Sequence, residues 1–528
     1  MSEEKKDSTS IDVAEVLADS HENLLSTRKL VMVFSGMALA LLLSFVDQTS
    51  ITILLPYMGE EFDAEDTISW AGTASLMSTT AFMVMFGRFA DIFSRKYVLV
   101  AGMIILAVFD LACGLARNQY QLFVFRGFCG IGNGAITSLT MTIVSDVVTL
   151  QQRGKYQGIL GSCVGIGNAI GPFLASAFLS RTSSWRNLYY FMCPTIIAAS
   201  LVIVWLVPYT RPDISLKEKL AKIDYLGFFF SSVAINFILI PISGGGSYFK
   251  WSNPMVISFL VIGVVALGVF LVIEKKVAVL PMIPLKLFHT NYSLTILLLQ
   301  NFFFGMAYYG NVFYYPYYFQ MVRDKSVVNT SLFLLCLVLP QATTSVICGQ
   351  VISRTGHYIF VVWYGYSCWL IGMCLLVLWG NHTNIGVVII SLIINGSGIG
   401  AIFQPTLVAA QAKSFKKDRA VVISTRNVLR SLGGAAGLAV GASILSNGYI
   451  SFLKDSHGLF TAEELLVLRS KIYTVSFSQF SPEQVTYLRM AYMKGLKNVF
   501  YYWIGCMSVC LVSSVVIRDR GLKSLDDN

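Results

Sequence analysis

The chain has 528 residues, of which 55% are hydrophobic and only 13% charged, with a formal net charge of +10. Soluble domains carry roughly 25% charged residues, so this composition, with a mean hydropathy of +0.66, excludes a water-facing surface and the soluble enzymes and nucleic-acid-binding modules that need one. Apolar segments recur almost unbroken from Leu30 to Ile517. Each is about 20 residues long, the length a helix needs to cross a ~30 Å hydrocarbon core. They show no period-2 alternation, and backbone in lipid must satisfy its own hydrogen bonds, so the chain reads as an all-α polytopic membrane protein.

Taken in chain order, residues 1–29 form a polar tail. It lacks the basic start and short apolar core of a cleaved signal, so the first span is expected to act as an uncleaved insertion signal. Fourteen spans follow, near 30–55, 68–87, 97–116, 120–143, 156–178, 187–207, 225–243, 254–274, 292–318, 330–352, 358–379, 385–410, 420–446 and 498–517. An even count puts both termini on one side. Basic residues cluster in alternate loops, as at Arg88, Arg95, Lys96, Arg153, Lys155, Lys217, Lys219, Lys222, Lys413, Lys416 and Lys417, whereas the first opposing loop, Gly59 to Asp63, is acidic. By the positive-inside rule both termini are read as cytoplasmic. The divisions are a tail at 1–29, a six-helix bundle at 30–207, a linker with two inserted helices at 208–291, a second six-helix bundle at 292–517 with an outer loop at 447–497, and a tail at 518–528. All ten cysteines fall in apolar runs, where they read as packing residues rather than a disulfide framework.

Ionisable groups inside spans are costly and mark function by default. Asp47, Asp110, Arg126 and Arg430 are four of them. At ~1.5 Å rise per residue, Asp47, Asp110 and Arg126 share one level in the first half, where they are expected to couple protons; a static ion pair that fixes helix register is the other reading. Arg430 is expected to offset a substrate anion or a carboxylate, or else to pair with a backbone carbonyl or Gln411. Glycines at 161, 165, 167 and 171 with Pro172, and their counterparts Gly433, Gly434, Gly437 and Gly441, suit close packing and bending. The ninth span is aromatic: Phe303, Tyr308 and Tyr309 are candidate substrate contacts through stacking and cation–π interactions, while Tyr314, Tyr315, Tyr317, Tyr318 and Phe319 read as an interfacial belt. Gln341, Gln404 and Gln411 are further candidates, each for a hydrogen bond to substrate or to a neighbouring helix. No phosphate-binding glycine loop and no His/Cys metal spacing occur, so neither an enzyme nor an ATP-driven pump is expected, and no cofactor or metal.

Two segments echo each other. One offset carries Gly87 onto Gly349 and Gly171 onto Gly433, which implies duplicated halves. Gly87-Arg88-Phe89-Ala90-Asp91-Ile92-Phe93-Ser94-Arg95-Lys96 resembles the loop 2–3 signature of the major facilitator superfamily, with Ser94 where that pattern has a second glycine. Leu122 to Gly130 resembles its fourth-span signature with an intramembrane arginine, Arg126. Gly167-Asn168-Ala169-Ile170-Gly171-Pro172 resembles the fifth-span antiporter signature, followed by Ala175-Ser176 instead of two glycines. Val46-Asp47-Gln48-Thr49 with Pro56, Trp185-Arg186 with Pro194, and Phe319-Gln320 are similar to the fungal fourteen-helix drug:proton antiporter branch.

The resemblance implies a major facilitator fold, two six-helix bundles plus two inserted helices, that exports varied organic compounds by alternating access on a proton gradient. The alternatives are transport of one metabolite class (basic amino acids into a vacuole, or siderophores) and a non-transporting receptor of the same fold. It further implies a gate built from Gly87, Asp91, Arg95 and Asp146, helix motion at Gly167, Gly171, Pro172, Gly433 and Gly437, and a monomer in the plasma membrane, with the vacuolar membrane as the other location. Small-molecule substrate, protons and lipid are the expected partners, and nucleic acid is not.

Overall fold

A computed structural model describes residues 26–522 apart from 65–66, 69, 183, 208–222, 245–250, 279–280, 284–286, 289–290, 416–417 and parts of 457–479. The first half holds α1 (Thr27–Glu61), α2 (Trp70–Ile92), α3 (Arg95–Gly114), α4 (Gln119–Val147), α5 (Leu150–Thr182) and α6 (Arg186–Leu206). α7 (Tyr225–Gly244) and α8 (Pro254–Lys276) follow. The second half holds α9 (Tyr292–Tyr317), α10 (Val327–Thr355), α11 (Ile359–Leu376), α12 (Ile385–Phe403), its short continuation α13 (Pro405–Ala412), α14 (Arg419–Lys454) and α15 (Pro482–Ser514). Twelve of these spans are long and apolar enough to cross a membrane. α2 and α9 are helices of 23 and 26 residues that are not among those twelve.

The duplication is visible in the packing. α2 crosses α14, and α10 makes the matching crossing with α5. Within each half α1 seats α5, and α9 seats α14 in the same way. α7 and α8 pair with each other, and α7 leans on α2 and α14, so the inserted pair stands beside the seam between the halves.

Glycine makes these crossings close. A Cβ on Gly167 would stand 2.9 Å from the Phe45 Cβ, and one on Gly437 2.5 Å from the Met306 Cα. Added to Gly433 it would fall on the Phe302 carbonyl, and added to Gly171 on the Thr49 hydroxyl. Helix backbones therefore touch directly, the arrangement that replaces a hydrophobic driving force in lipid. At the end away from the termini, Arg186 bonds the Gly114 and Ala116 carbonyls at 2.9 and 2.7 Å and pairs with Glu61 at 2.5 Å. Trp185 donates to the same carboxylate, so Trp185-Arg186 ties the ends of α1, α3 and α6 together.

Two expectations are corrected. The aromatics at the end of the ninth span are not a lipid-facing belt: Tyr314, Tyr315, Tyr318 and Phe319 are at most 1% exposed. They pack on Trp379, Trp503 and Phe333, because ring stacking inside the bundle buries more area than the interface offers. The outer loop is also shorter than 447–497. α14 runs on to Lys454, and α15 starts at Pro482 behind a capping box of Ser481 and Gln484; capping makes a polar first turn helical before the apolar run begins. The linker 208–222 lies outside the described residues.

Gly433→Ala is expected to destabilise the fold by about 1–3 kcal/mol through overpacking. Gly72→Ala, where a Cβ meets nothing within 4 Å, should leave it unchanged. Thermal melting of the detergent-purified protein by size-exclusion fluorescence checks both.

Candidate functional site

Three helices bring the first charge cluster together: Asp47 from α1, Asp110 from α3, and Arg126 with Asn133 from α4. All are at most 1% exposed, because Arg126 and Asn133, two helical turns apart, share the face of α4 that meets α1. Arg126 donates to Asp47 at 2.6 Å and stands 3.9 Å from Asp110. Asn133 donates to the other Asp47 oxygen at 2.7 Å and accepts from Ser44 at 2.7 Å. Asp47 is thus held on both oxygens. Asp110 accepts only a thiol hydrogen from Cys129, at 3.4 Å, and its Oδ2 has no partner. Two carboxylates face one guanidinium, and the unmatched oxygen belongs to Asp110.

The second cluster lies across the seam. Arg430, on α14, is 4% exposed. Its guanidinium rests over the Phe403 ring at 4.8 Å and makes no hydrogen bond or ion pair with the described residues. Neither Gln411 nor a backbone carbonyl pairs with it. Phe403 in turn meets Tyr308 at 5.7 Å, and Tyr308 meets Phe304 at 5.5 Å and Tyr309 at 5.4 Å. The Tyr308 hydroxyl accepts from Asn168 of α5 at 2.7 Å, a bond that joins the halves, and Gln341 of α10 sits beside it. Tyr308 and Tyr309 are therefore grouped with Phe403, the ring under Arg430. Phe303 is not: three consecutive phenylalanines fan out by 100° steps, and Phe303 turns to Phe302 while Phe304 takes the inward place.

From this level toward the termini the halves are shut. Gly158 admits the Ser345 backbone, and Ser345 donates to the Gly158 carbonyl at 2.9 Å. A Cβ on Gly154 would stand 2.8 Å from the Gly349 carbonyl, and one on Gly87 would fall on the Ser424 hydroxyl. Gln157 donates to Gln411 at 3.2 Å, and Gln404 rests on the Met141 sulfur at 3.8 Å. Gln404 and Gln411 thus belong to the closure seam, not to the aromatic group around Arg430. Arg95 pairs with Asp146, and Arg88 donates to the Pro281 carbonyl at 2.8 Å. The Asp91 side chain lies outside the described residues. Pro172 sits in α5 one residue beyond Gly171, on the part of the helix seated against α1.

Sequence reasoning gave no site role to Phe304, Phe403, Asn168 or Arg426, whereas Gln341 is among its candidates. The i, i+4 pair Phe304 and Tyr308 carried the available signal, since that spacing shares a face.

The family model for the Major Facilitator Superfamily matches residues 37–438. The chain is similar to Citrate exporter 1 of Yarrowia lipolytica, with 44% identity over 502 residues, covering 95% of this chain and 74% of that protein. It is similar to the MFS-type transporter clz4 of Cochliobolus lunatus at 32% identity, covering 95% and 88%. Among solved structures, the human organic anion transporter MFSD10 (TETRAN) shares the fold, with a TM-score of 0.61 at 16% identity, covering 92% of this chain and 99% of that one. The chain belongs to the major facilitator superfamily and is a multi-pass membrane transporter rather than an enzyme.

Proposed function

We propose that this chain is a proton-coupled exporter of small organic anions, built on the fourteen-helix antiporter plan. The observation that carries it is Arg430: a buried guanidinium with no hydrogen-bond or ion-pair partner among the described residues, over the Phe403 ring. The Arg430 Nε is buried without a hydrogen-bond partner, a costly arrangement, and a substrate carboxylate meets a guanidinium with two parallel bonds. The donors around it, the Tyr308 hydroxyl and the Gln341 amide, fit the same ligand. The 44% identical citrate exporter supports this class. A basic amino acid would instead require an unpaired carboxylate in the cleft; Asp47 is engaged on both oxygens, and the unmatched Asp110 oxygen is assigned here to the proton.

Coupling is assigned to the first cluster. Asp110, with its orphan oxygen, takes the proton, and Arg126 divides its attention between Asp47 and Asp110 as the halves rock. With both termini cytoplasmic, the shut seam makes this the outward-facing state, in which Arg95–Asp146 braces α3 against α4 inside the first half. The protein acts as a monomer in the plasma membrane. A second reading, efflux of varied flat compounds, is favoured by the ring group Phe304, Tyr308, Tyr309 and Phe403. It predicts transport of neutral and cationic compounds that survives loss of Arg430.

Flux of a labelled organic anion in proteoliposomes with an imposed pH gradient tests the reading. Asp110→Asn and Arg126→Ala should each cut gradient-driven flux about tenfold or more, the equivalent of roughly 1.4 kcal/mol, while exchange without a gradient persists in Asp110→Asn. Full gradient-driven transport in both would sink the coupling assignment. Arg430→Ala should abolish anion flux with the protein still folded. Asp146→Asn should loosen the seam, lengthening the distance between spin labels at Gln151 and Thr355, which are exposed at the termini ends of α5 and α10; an unchanged distance would show that this brace does not support the seam.

A further inference from the structure

The helix that carries Phe403 is interrupted. α12 stops at Phe403 and α13 starts at Pro405, which has no N–H to give. Leu407 and Val408 both donate to the Gln404 carbonyl, at 2.9 and 3.2 Å, and the Phe403 carbonyl loses its helical donor. Arg426, 1% exposed, replaces it. Its guanidinium donates to the Phe403 carbonyl, and reaches the Thr406 hydroxyl and the Asn427 side chain at 3.4 Å each. The residue whose backbone Arg426 holds is the one whose ring lies under Arg430.

Arg426 and Arg430 stand one turn apart on α14. Like charges at that spacing repel, and more strongly away from water. Among the described residues no carboxylate pairs with either, and the buried carboxylates of the first half are drawn to Arg126. The cleft side of the second half therefore holds two positive charges without a counter-charge.

We propose that Arg426 is a positioning residue of the substrate site and that, with Arg430, it makes the site select small carboxylates of two or three negative charges over those of one. Arg430 touches the substrate. Arg426 acts through the α12–α13 break, which orients Phe403, and through its field. The inference rests on the organic-anion reading above and adds the valence of the anion.

Full-length protein in proteoliposomes at neutral pH is tested with labelled butyrate, glutarate and propane-1,2,3-tricarboxylate, three short chains that differ chiefly in charge. KM for glutarate and for the tricarboxylate should lie about tenfold or more below that for butyrate. Arg426→Lys keeps the charge but not the forked geometry: it should raise all three KM values by a similar factor and preserve their order. Arg426→Gln should shrink the spread between butyrate and the multiply charged anions severalfold. A purely structural role would lower the amount of active protein in both variants and leave the spread intact. Equal KM values in the unaltered protein, or an undiminished spread in Arg426→Gln, would overturn the inference while leaving anion export standing. Failure of all three anions to move would overturn the organic-anion reading and this inference with it.

Discussion

A guanidinium keeps its charge at any pH a cell reaches, so once it is taken out of water something must answer it. Three such groups lie in the middle of this bundle, and the way each is answered organises the molecule. Arg126 is answered by Asp47, and Asp110 waits 3.9 Å away. Arg426 is answered by the carbonyl of a broken helix. Arg430 has only the face of Phe403. The first is a pair with a spare carboxylate, the second a brace, and the third a charge that its own chain leaves open.

The glycine-lined crossings give these charges a surface along which to move. α1 with α5 and α9 with α14 meet backbone to backbone, so each half is stiff at the level of its charge cluster. The contacts between halves combine close glycine approaches, as at Gly154 against Gly349 and Gly158 against Ser345, with short polar bonds such as Asn168–Tyr308 and Gln157–Gln411; the Arg95–Asp146 pair joins α3 to α4 inside the first half. Polar contacts of this size break at modest cost. A rocking motion that keeps each half whole and exchanges the seam is the motion this division permits.

Much of this was legible from residue types. Spans could be found because lipid dictates their length, and Asp47, Asp110 and Arg126 because charge in a membrane is rare enough to stand out. The duplicated crossing of α2 with α14 and α10 with α5 follows from glycines repeated at one offset. What escaped had no one-dimensional signature. The run Phe302-Phe303-Phe304 gives no phase by itself, and only the i, i+4 spacing of Phe304 and Tyr308 points to the inward ring. Gln404 and Gln411 are polar and buried in either location, and only the closure of the seam separates them from Arg430. The break at Gln404-Pro405 is visible as a proline, but its dependence on Arg426 is a contact across more than twenty residues. The tyrosines at the end of α9 match an interfacial belt in composition and differ from one only in what packs against them.

The account stands on Arg430 being answered by the cargo. A cryo-electron-microscopy map of the protein in the presence of a small polycarboxylate tests this most directly. The prediction is carboxylate density within ~3 Å of the Arg430 guanidinium, above the Phe403 ring and beside the Tyr308 hydroxyl. Density elsewhere, with Arg430 paired instead to a carboxylate of its own chain, would contradict it.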